Sequence, residues 1–375
     1  MFQRDNLNLV VSLVKGHHEA IRDQLNKTVF DFDSFYDFIA QHQLRGYVYS
    51  LLANSPAREA FPSDLVDHLQ SFYNRQRAKN EQMIRELKLL SSTFSLAGQD
   101  FILLKGPYLA QRFYGSLDRR VFWDIDILVK RNDLAHATRL LARNGFTRTS
   151  RIILNKALTI YFTHALDFVK PGAAVDLHWA LRNRPSYNFN YQDIWQKKQP
   201  FYLDDALLYV LSDQHALVFN LISIFNDLEV GKIRIRSFVD LYMMMRSING
   251  TVDWNQFLED RKRENVIKIS VCMLDVVLTL FDCRGEFPKL AHAVSRKTSL
   301  LGITREGSIE RLLRHSRVGL RHRMWAARFY EASRLRLLLW WIISSPFRRA
   351  AYRSGKSARL KRDIRRLKSY IGLRS

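Results

Sequence analysis

The segment Val121–Val129, reading VFWDIDILV, constrains the chain more than any other stretch. It has the length and composition of a buried β-strand, and side chains along a strand alternate between faces. Val121, Trp123, Ile125, Ile127 and Val129 make one apolar face. Phe122, Asp124, Asp126 and Leu128 share the other, so two carboxylates stand roughly 7 Å apart along the strand with apolar residues on either side. Two like charges in such a place are costly unless a cation compensates them. Mg²⁺, with Mn²⁺ as the alternative, favours carboxylate oxygens together with the phosphates of a substrate. A lone Asp-x-Asp also occurs at exposed strand edges and in turns, so the neighbouring elements have to decide.

A third acid stands in the same setting. Over Ala174–Trp179 the alternation puts Ala174, Asp176 and His178 on one face and Val175 and Leu177 on the other. Three aspartates on neighbouring strands suit a pair of divalent ions about 3.5–4 Å apart, the spacing used for in-line phosphoryl displacement. His178 either contacts a ligand or orients a carboxylate by a hydrogen bond, and the second reading is the plainer one.

The surrounding pattern is β-α-β-α-β-β. Phe101–Leu104 is a short apolar run, closed by Lys105-Gly106-Pro107. Pro107 is a good first residue for a helix, whose first N–H groups have no partner anyway, and that helix, Pro107–Tyr114, stops at Gly115. After the Val121–Val129 strand, a helix is expected over Asp133–Asn144, with Asn132 as N-cap, Gly145 as the stop and a stripe of Leu134, Ala137, Leu140 and Leu141. Leu158–Val169 and Ala173–Trp179 read as strands joined by a Pro171-Gly172 turn. The expected fold class is α/β (α+β), a small mixed sheet flanked by helical subdomains. Residues 1–95 are helical, 96–200 hold the core, 201–300 are helical again and 301–375 form a basic amphipathic region. Within the helical parts, Phe30–Leu44 lies behind the candidate caps Asp31 and Asp33. Met83–Leu96 turns Leu87, Leu89, Leu90 and Phe94 to one side. Asp205–Phe225, Ile235–Ile248 and Val266–Phe281 continue the helical pattern.

The 375 residues are 47% hydrophobic and 25% charged, as in a folded globular protein. Cys272 and Cys283, the only cysteines, have no zinc-like or disulfide-like spacing, which fits a reducing, cytoplasmic setting. The N-terminus lacks a signal-peptide layout, and no uncharged apolar run reaches the roughly 18 residues needed to span a bilayer. The net charge is +23, and the last 80 residues, with 22 Lys/Arg against 4 Asp/Glu, carry +18 of it. Residues 308–345 interleave arginines with Trp325, Trp340 and Trp341, and 348–375 is a very basic end. A basic helix on the core with a solvated face is the plain reading. An anionic membrane surface, which would place the protein peripherally at the inner face of a membrane, comes next, and RNA third.

The string LLKGPYLAQRFYG–SLDRRVFWDIDILVK resembles the signature of the DNA polymerase β-like nucleotidyltransferase superfamily, in the bacterial branch labelled "uncharacterised nucleotidyltransferase". Lys105, Gly106, Tyr114, Arg120, Asp124, Asp126, Leu128 and Val129 fall on that pattern. Asn144-Gly145-Phe146 and Val175–Trp179 also resemble it, and the likeness extends weakly through flanking helices that include Arg236–Leu241. The resemblance implies transfer of a nucleoside monophosphate from a nucleoside triphosphate, ATP among the candidates, to an acceptor hydroxyl, with release of pyrophosphate. It implies that Asp124 and Asp126 bind the metal ions that grip the triphosphate and that Asp176 completes the metal site and helps deprotonate the acceptor. Lys105 and Gly106 would meet the phosphates, and Arg120 would neutralise phosphate charge or be an ordinary turn arginine. His178 would approach the nucleotide or the acceptor. One departure is Pro107, standing where the wider superfamily has Gly or Ser, which removes an N–H that could hold phosphate. Nothing in the sequence names the acceptor.

Two rivals compete. Nucleotide-sugar glycosyltransferases also carry Asp-x-Asp, but they need a longer run of βα units before it than the single strand here. A catalytically inactive scaffold binding RNA or an anionic membrane through its basic tail would have no reason to keep three strand carboxylates together. Arg236 and Asp240, four apart on a helix, read as a surface salt bridge. Asp213 and His215 read as helix-face residues, and His17-His18 has no metal-like companion.

Overall fold

The computed structural model describes residues 4–27, 30–149, 160–182, 186–229, 231, 234–302, 326–333, 337, 339 and 340. It is a mixed α/β protein with a seven-stranded sheet and helices at both ends of the chain. The first helices are α1 (Arg4–Lys15), α2 (His18–Lys27), α3 (Phe32–Gln41), α4 (Arg45–Leu52) and the 34-residue α5 (Ser63–Leu96). Asp31 caps α3 as expected, accepting from the Ser34 N–H. The single helix expected over Phe30–Leu44 is instead α3 alone, because Gln43 turns the chain at φ +61 before α4 begins. In α5, Leu87, Leu90 and Phe94 are buried, but Leu89 lies off that stripe and is exposed.

The middle of the chain supplies most of the sheet. It runs β1 (Ile102–Leu103), α6 (Pro107–Tyr114), β2 (Ile125–Leu128), α7 (Leu134–Arg143), β3 (Thr147–Arg148), β4 (Ala165–Lys170) and β5 (Ala173–His178). A short helix α8 (Tyr191–Gln196) leads into the hairpin β6 (Gln199–Leu203) and β7 (Ala206–Val210). The strand order is β3-β4-β5-β2-β1-β7-β6. β2 runs parallel to β5 and β1 parallel to β7, while the other neighbours are antiparallel. On β5 the Val175 and Leu177 side is fully buried, and α5 packs against this strand and β7.

Several expected boundaries move for identifiable reasons. The strand expected over Val121–Val129 shortens to β2, because the preceding carbonyls are taken by side chains rather than by a neighbouring strand. Asn80 donates to the Arg120 carbonyl and Arg236 to the Val121 carbonyl. The helix expected from Asp133 with an Asn132 cap starts at Leu134, because residues 131–133 form a 3₁₀ turn, and Gly145 ends it at φ +78. The strand expected over Leu158–Val169 pairs only from Ala165, and residues 158 and 159 lie outside the described residues. The largest correction concerns Asp205–Phe225. Its first part, Ala206–Val210, is strand β7, and the helix α9 spans Asp213–Glu229.

α10 (Ile235–Ile248), α11 (Trp254–Arg263), α12 (Ile267–Leu280) and α13 (Pro288–Leu300) follow, and a 3₁₀ turn spans Ala327–Phe329. α9 packs on α10 and α12, and α10 packs on α6. Among the described residues no helix is long and apolar enough to cross a membrane. The basic stretch 308–345 falls mostly outside the described residues, and 348–375 falls wholly outside them.

Candidate active site

Parallel pairing of β2 with β5 sets Asp126 directly beside Asp176 in the ladder. The register also places Leu128 beside His178. Partners in register share a face, so both acids and His178 point to one side. Donor atoms of Asp126, Asp176 and His178 all lie within 4.8 Å of one another. The His178 Nε2 is 3.2 Å from an Asp126 oxygen, so the imidazole orients a carboxylate, on β2 rather than on its own strand. Two carboxylates and one imidazole suit a divalent cation, the oxygens favouring Mg²⁺ and the added nitrogen tolerating Mn²⁺. Burial alone would raise the Asp126 carboxyl. The hydrogen bond and charge of His178, with Lys105 and Arg182, outweigh burial and hold it below the usual carboxylate range.

Asp126 also lines a cavity of about 370 Å³ shared with Asp124, Lys105 and Gly106. Asp124 stands outside the 4.8 Å group, just ahead of β2. Lys105 and Gly106 form the turn between β1 and α6. Gly106 precedes α6 at φ 71, ψ −120, a conformation that strains any residue with a Cβ. Pro107 then takes the first helical position, as the sequence indicates. The Lys105 ammonium lies 4.5 Å from the Phe219 ring centre on α9. Burial draws its pKa down to about 8, against the opposing pull of Asp126 and Asp227.

A strand-borne acid pair, a histidine on one acid and a Lys-Gly turn opening onto the same cavity agree with the resemblance seen in the sequence. A family model described as uncharacterised nucleotidyltransferase matches residues 28–282. The chain belongs to this family. No curated protein matches the chain.

Arg120 lines the cavity of this nucleotidyltransferase. Its Nε and Nη2 donate to the two Asp240 oxygens at 2.8 and 2.9 Å, and both side chains are about 5% exposed. The Tyr114 hydroxyl donates to the same carboxylate. Burial works against the charge on both groups of the pair. Each opposes burial in the other, leaving the guanidinium pKa above its usual range and the carboxyl below its own. The surface salt bridge expected between Arg236 and Asp240 is therefore absent as such. Asp240 is buried and bound to Arg120 from 120 residues away, and Arg236 donates to the Val121 carbonyl at 3.0 Å.

Other residues of the nucleotidyltransferase cavity carry no signal in the local sequence. Asn220, Ser223 and Asp227 reach it from α9, and Arg236 from the first turn of α10. Arg182, whose charge acts on Asp126 and Lys105, follows β5 and donates to His164. An arginine or asparagine inside an apolar helix would have been the clue, but such residues are commonly satisfied within their own helix, as Asn220 is by the Ala216 carbonyl. Asp213 accepts from Arg112 and Tyr108, and His215 lies between Ser212 and Asp193. His18 meets Ser55. None of these three joins the acid cluster.

Proposed function

We propose that the protein transfers a nucleoside monophosphate from a nucleoside triphosphate, ATP among the candidates, to an acceptor hydroxyl. The observation that carries this reading is the in-register pair Asp126 and Asp176, oriented by His178 and adjoining the cavity of Lys105 and Gly106. Asp126 and Asp176, with Asp124 from the same cavity, would hold Mg²⁺ or Mn²⁺. A divalent cation bound there neutralises the charge on the triphosphate and on the departing pyrophosphate.

The chain's own groups do the rest. Lys105 and the N-terminus of α6 meet phosphate oxygens, by charge and by backbone dipole together. Pro107 contributes no N–H, so Lys105 carries more of that contact than a second glycine would require. Asp176 takes the proton of the acceptor hydroxyl. The acceptor oxygen then bonds to the α-phosphorus while the bond to the β-phosphate oxygen breaks, and pyrophosphate leaves with that electron pair. His178 keeps Asp126 aimed, while Arg120, on the cavity lining, has its charge taken up by Asp240.

The test is thermal stabilisation of the full chain by each of the four NTPs with Mg²⁺, for the wild type and for Asp124→Ala/Asp126→Ala. Stabilisation that needs both the ion and the aspartates is expected. Its absence for every NTP, with Mn²⁺ as well as Mg²⁺, overturns the reading.

A further inference from the structure

We infer that Arg236, with Ser223 on the lining of the same cavity, forms the seat for the terminal two phosphates of the triphosphate, and so for the pyrophosphate that departs. The inference deepens the proposed nucleotidyl transfer and rests on it.

The argument starts from an imbalance. α10 presents Arg236 to the cavity four residues before Asp240, the natural partner on its own helix. Arg120 and Tyr114 already occupy that carboxylate. Arg236 spends one N–H on the Val121 carbonyl. Its Nε is buried with no hydrogen-bond partner among the described residues, and the Ser223 Oγ on α9 is in the same condition. Both residues line the cavity that holds Asp124, Asp126 and Lys105. A buried donor without a partner costs about 1–3 kcal/mol, more when the group is charged. Two such groups on one cavity wall point to a ligand that completes them.

The sign of that ligand follows from the charges. Asp240 is neutralised by Arg120. Asp227 and Arg234, also on the lining, offset one another, so once a divalent ion engages the strand acids Lys105 and Arg236 are surplus positive groups around the same space. An anion with several charges and several acceptor oxygens fits. The planar guanidinium matches adjacent phosphate oxygens two at a time, which an ammonium cannot do. The hydrogen bond to the Val121 carbonyl fixes the side chain before any ligand arrives, so little rotamer freedom remains to be lost on binding. Burial, reinforced by the nearby Arg120, draws the Arg236 pKa down to about 10 despite Asp240. The guanidinium is thus charged at neutral pH and not fully compensated by its surroundings.

The experiment is calorimetric titration of the full chain with Mg²⁺–pyrophosphate, with Mg²⁺–NTP and with the matching nucleoside monophosphate. Wild type, Arg236→Gln, Arg236→Lys and Ser223→Ala are compared. Arg236→Gln is expected to weaken pyrophosphate and NTP by roughly 10- to 100-fold, the loss for hydrogen bonds to a charged group, and Ser223→Ala by roughly fivefold. Monophosphate affinity should stay within about threefold in both, which a merely structural defect would not arrange. Arg236→Lys keeps the charge and loses the fork, so it should fall between. If Arg236→Gln does not fold, Arg236→Lys and Ser223→Ala decide, and wild-type pyrophosphate affinity in both overturns the inference. Unchanged pyrophosphate affinity in Arg236→Gln, while the wild type still binds NTP in an Asp126-dependent manner, sinks this inference alone. A wild type that binds neither NTP nor pyrophosphate sinks the proposed transfer with it.

Discussion

Two clusters of buried charge reach the same cavity, one through Asp126 and the other through Arg120 and Asp240, and they are built on opposite plans. Arg120, Asp240 and Tyr114 close on one another. The carboxylate is met on both oxygens, the guanidinium is bidentate, and the group is nearly sealed from water. Asp126, Asp176 and His178 leave two acids side by side against one imidazole, with Asp124 close by in the chain. The first cluster satisfies itself and ties α6 to α10. The second meets His178, Lys105 and Arg182 around Asp126, yet its three donor groups converge closely enough to take a cation as well. Full pairing within the fold is the mark of a structural network, and metal-ligating atoms converging beside an open cavity are the pattern expected of a site.

That contrast can be broken by substitution. Asp126→Asn or Asp176→Asn should lower nucleotide transfer by about a thousandfold or more, while costing less stability without added metal than a break in the closed cluster, because the like-charge repulsion removed offsets part of what is lost with His178 and Lys105. A matched loss of activity and stability would put the two clusters in one class. Asp240→Ala should do the reverse. It leaves Arg120 buried without its partner and should cost about 3–5 kcal/mol in urea denaturation. The double change Arg120→Met/Asp240→Leu should recover most of that loss, since an apolar pair replaces the ions.

Lys105 belongs to the open cluster and should show it in the pH dependence of stability. Its pKa is near 8 in the fold and 10.5 in its unperturbed form. Between these values the unfolded chain binds the extra proton. Stability therefore rises with pH across that window, and the full penalty, at most about 3 kcal/mol, is present below it. Lys105→Met should flatten the rise, as read from urea midpoints between pH 7.5 and 10.5; an unaltered slope would mean that the ammonium is not desolvated. The smallest effect belongs to His178. His178→Gln should weaken Mn²⁺ binding by about 10- to 100-fold, as loss of a ligand-orienting partner does, with little change in the urea midpoint.

The strand acids were legible because alternation is a short-range rule. Asp126 and Asp176 interrupt strands whose other residues are apolar, and nothing local explains them. Helix α6 was legible to the residue, since Pro107 and Gly115 mark its ends. The hairpin β6–β7 was not. ALLYV runs on through Leu211 toward the apolar helix α9, and a continuous apolar run does not distinguish strand from helix. Long-range pairs were also out of reach. Arg236 and Asp240 obey the helical spacing rule, yet Asp240 is claimed by Arg120 through tertiary packing that no local pattern encodes.

The parallel pairing of β2 with β5 has a consequence for how the chain is proofread. Forty-four residues separate the end of one strand from the start of the other, and they include α7, β3 and β4. A slip of one residue in β5 would turn Asp176 into the packed side and present Val175 or Leu177 in its place. Only the correct register brings Asp126 and Asp176 together, so an ion that binds the pair ignores every slipped arrangement and deepens the native one alone, in proportion to its concentration over its dissociation constant. With the proposed ion bound, the surrounding solution would take part in selecting the fold, by rewarding the single alignment in which the acids meet.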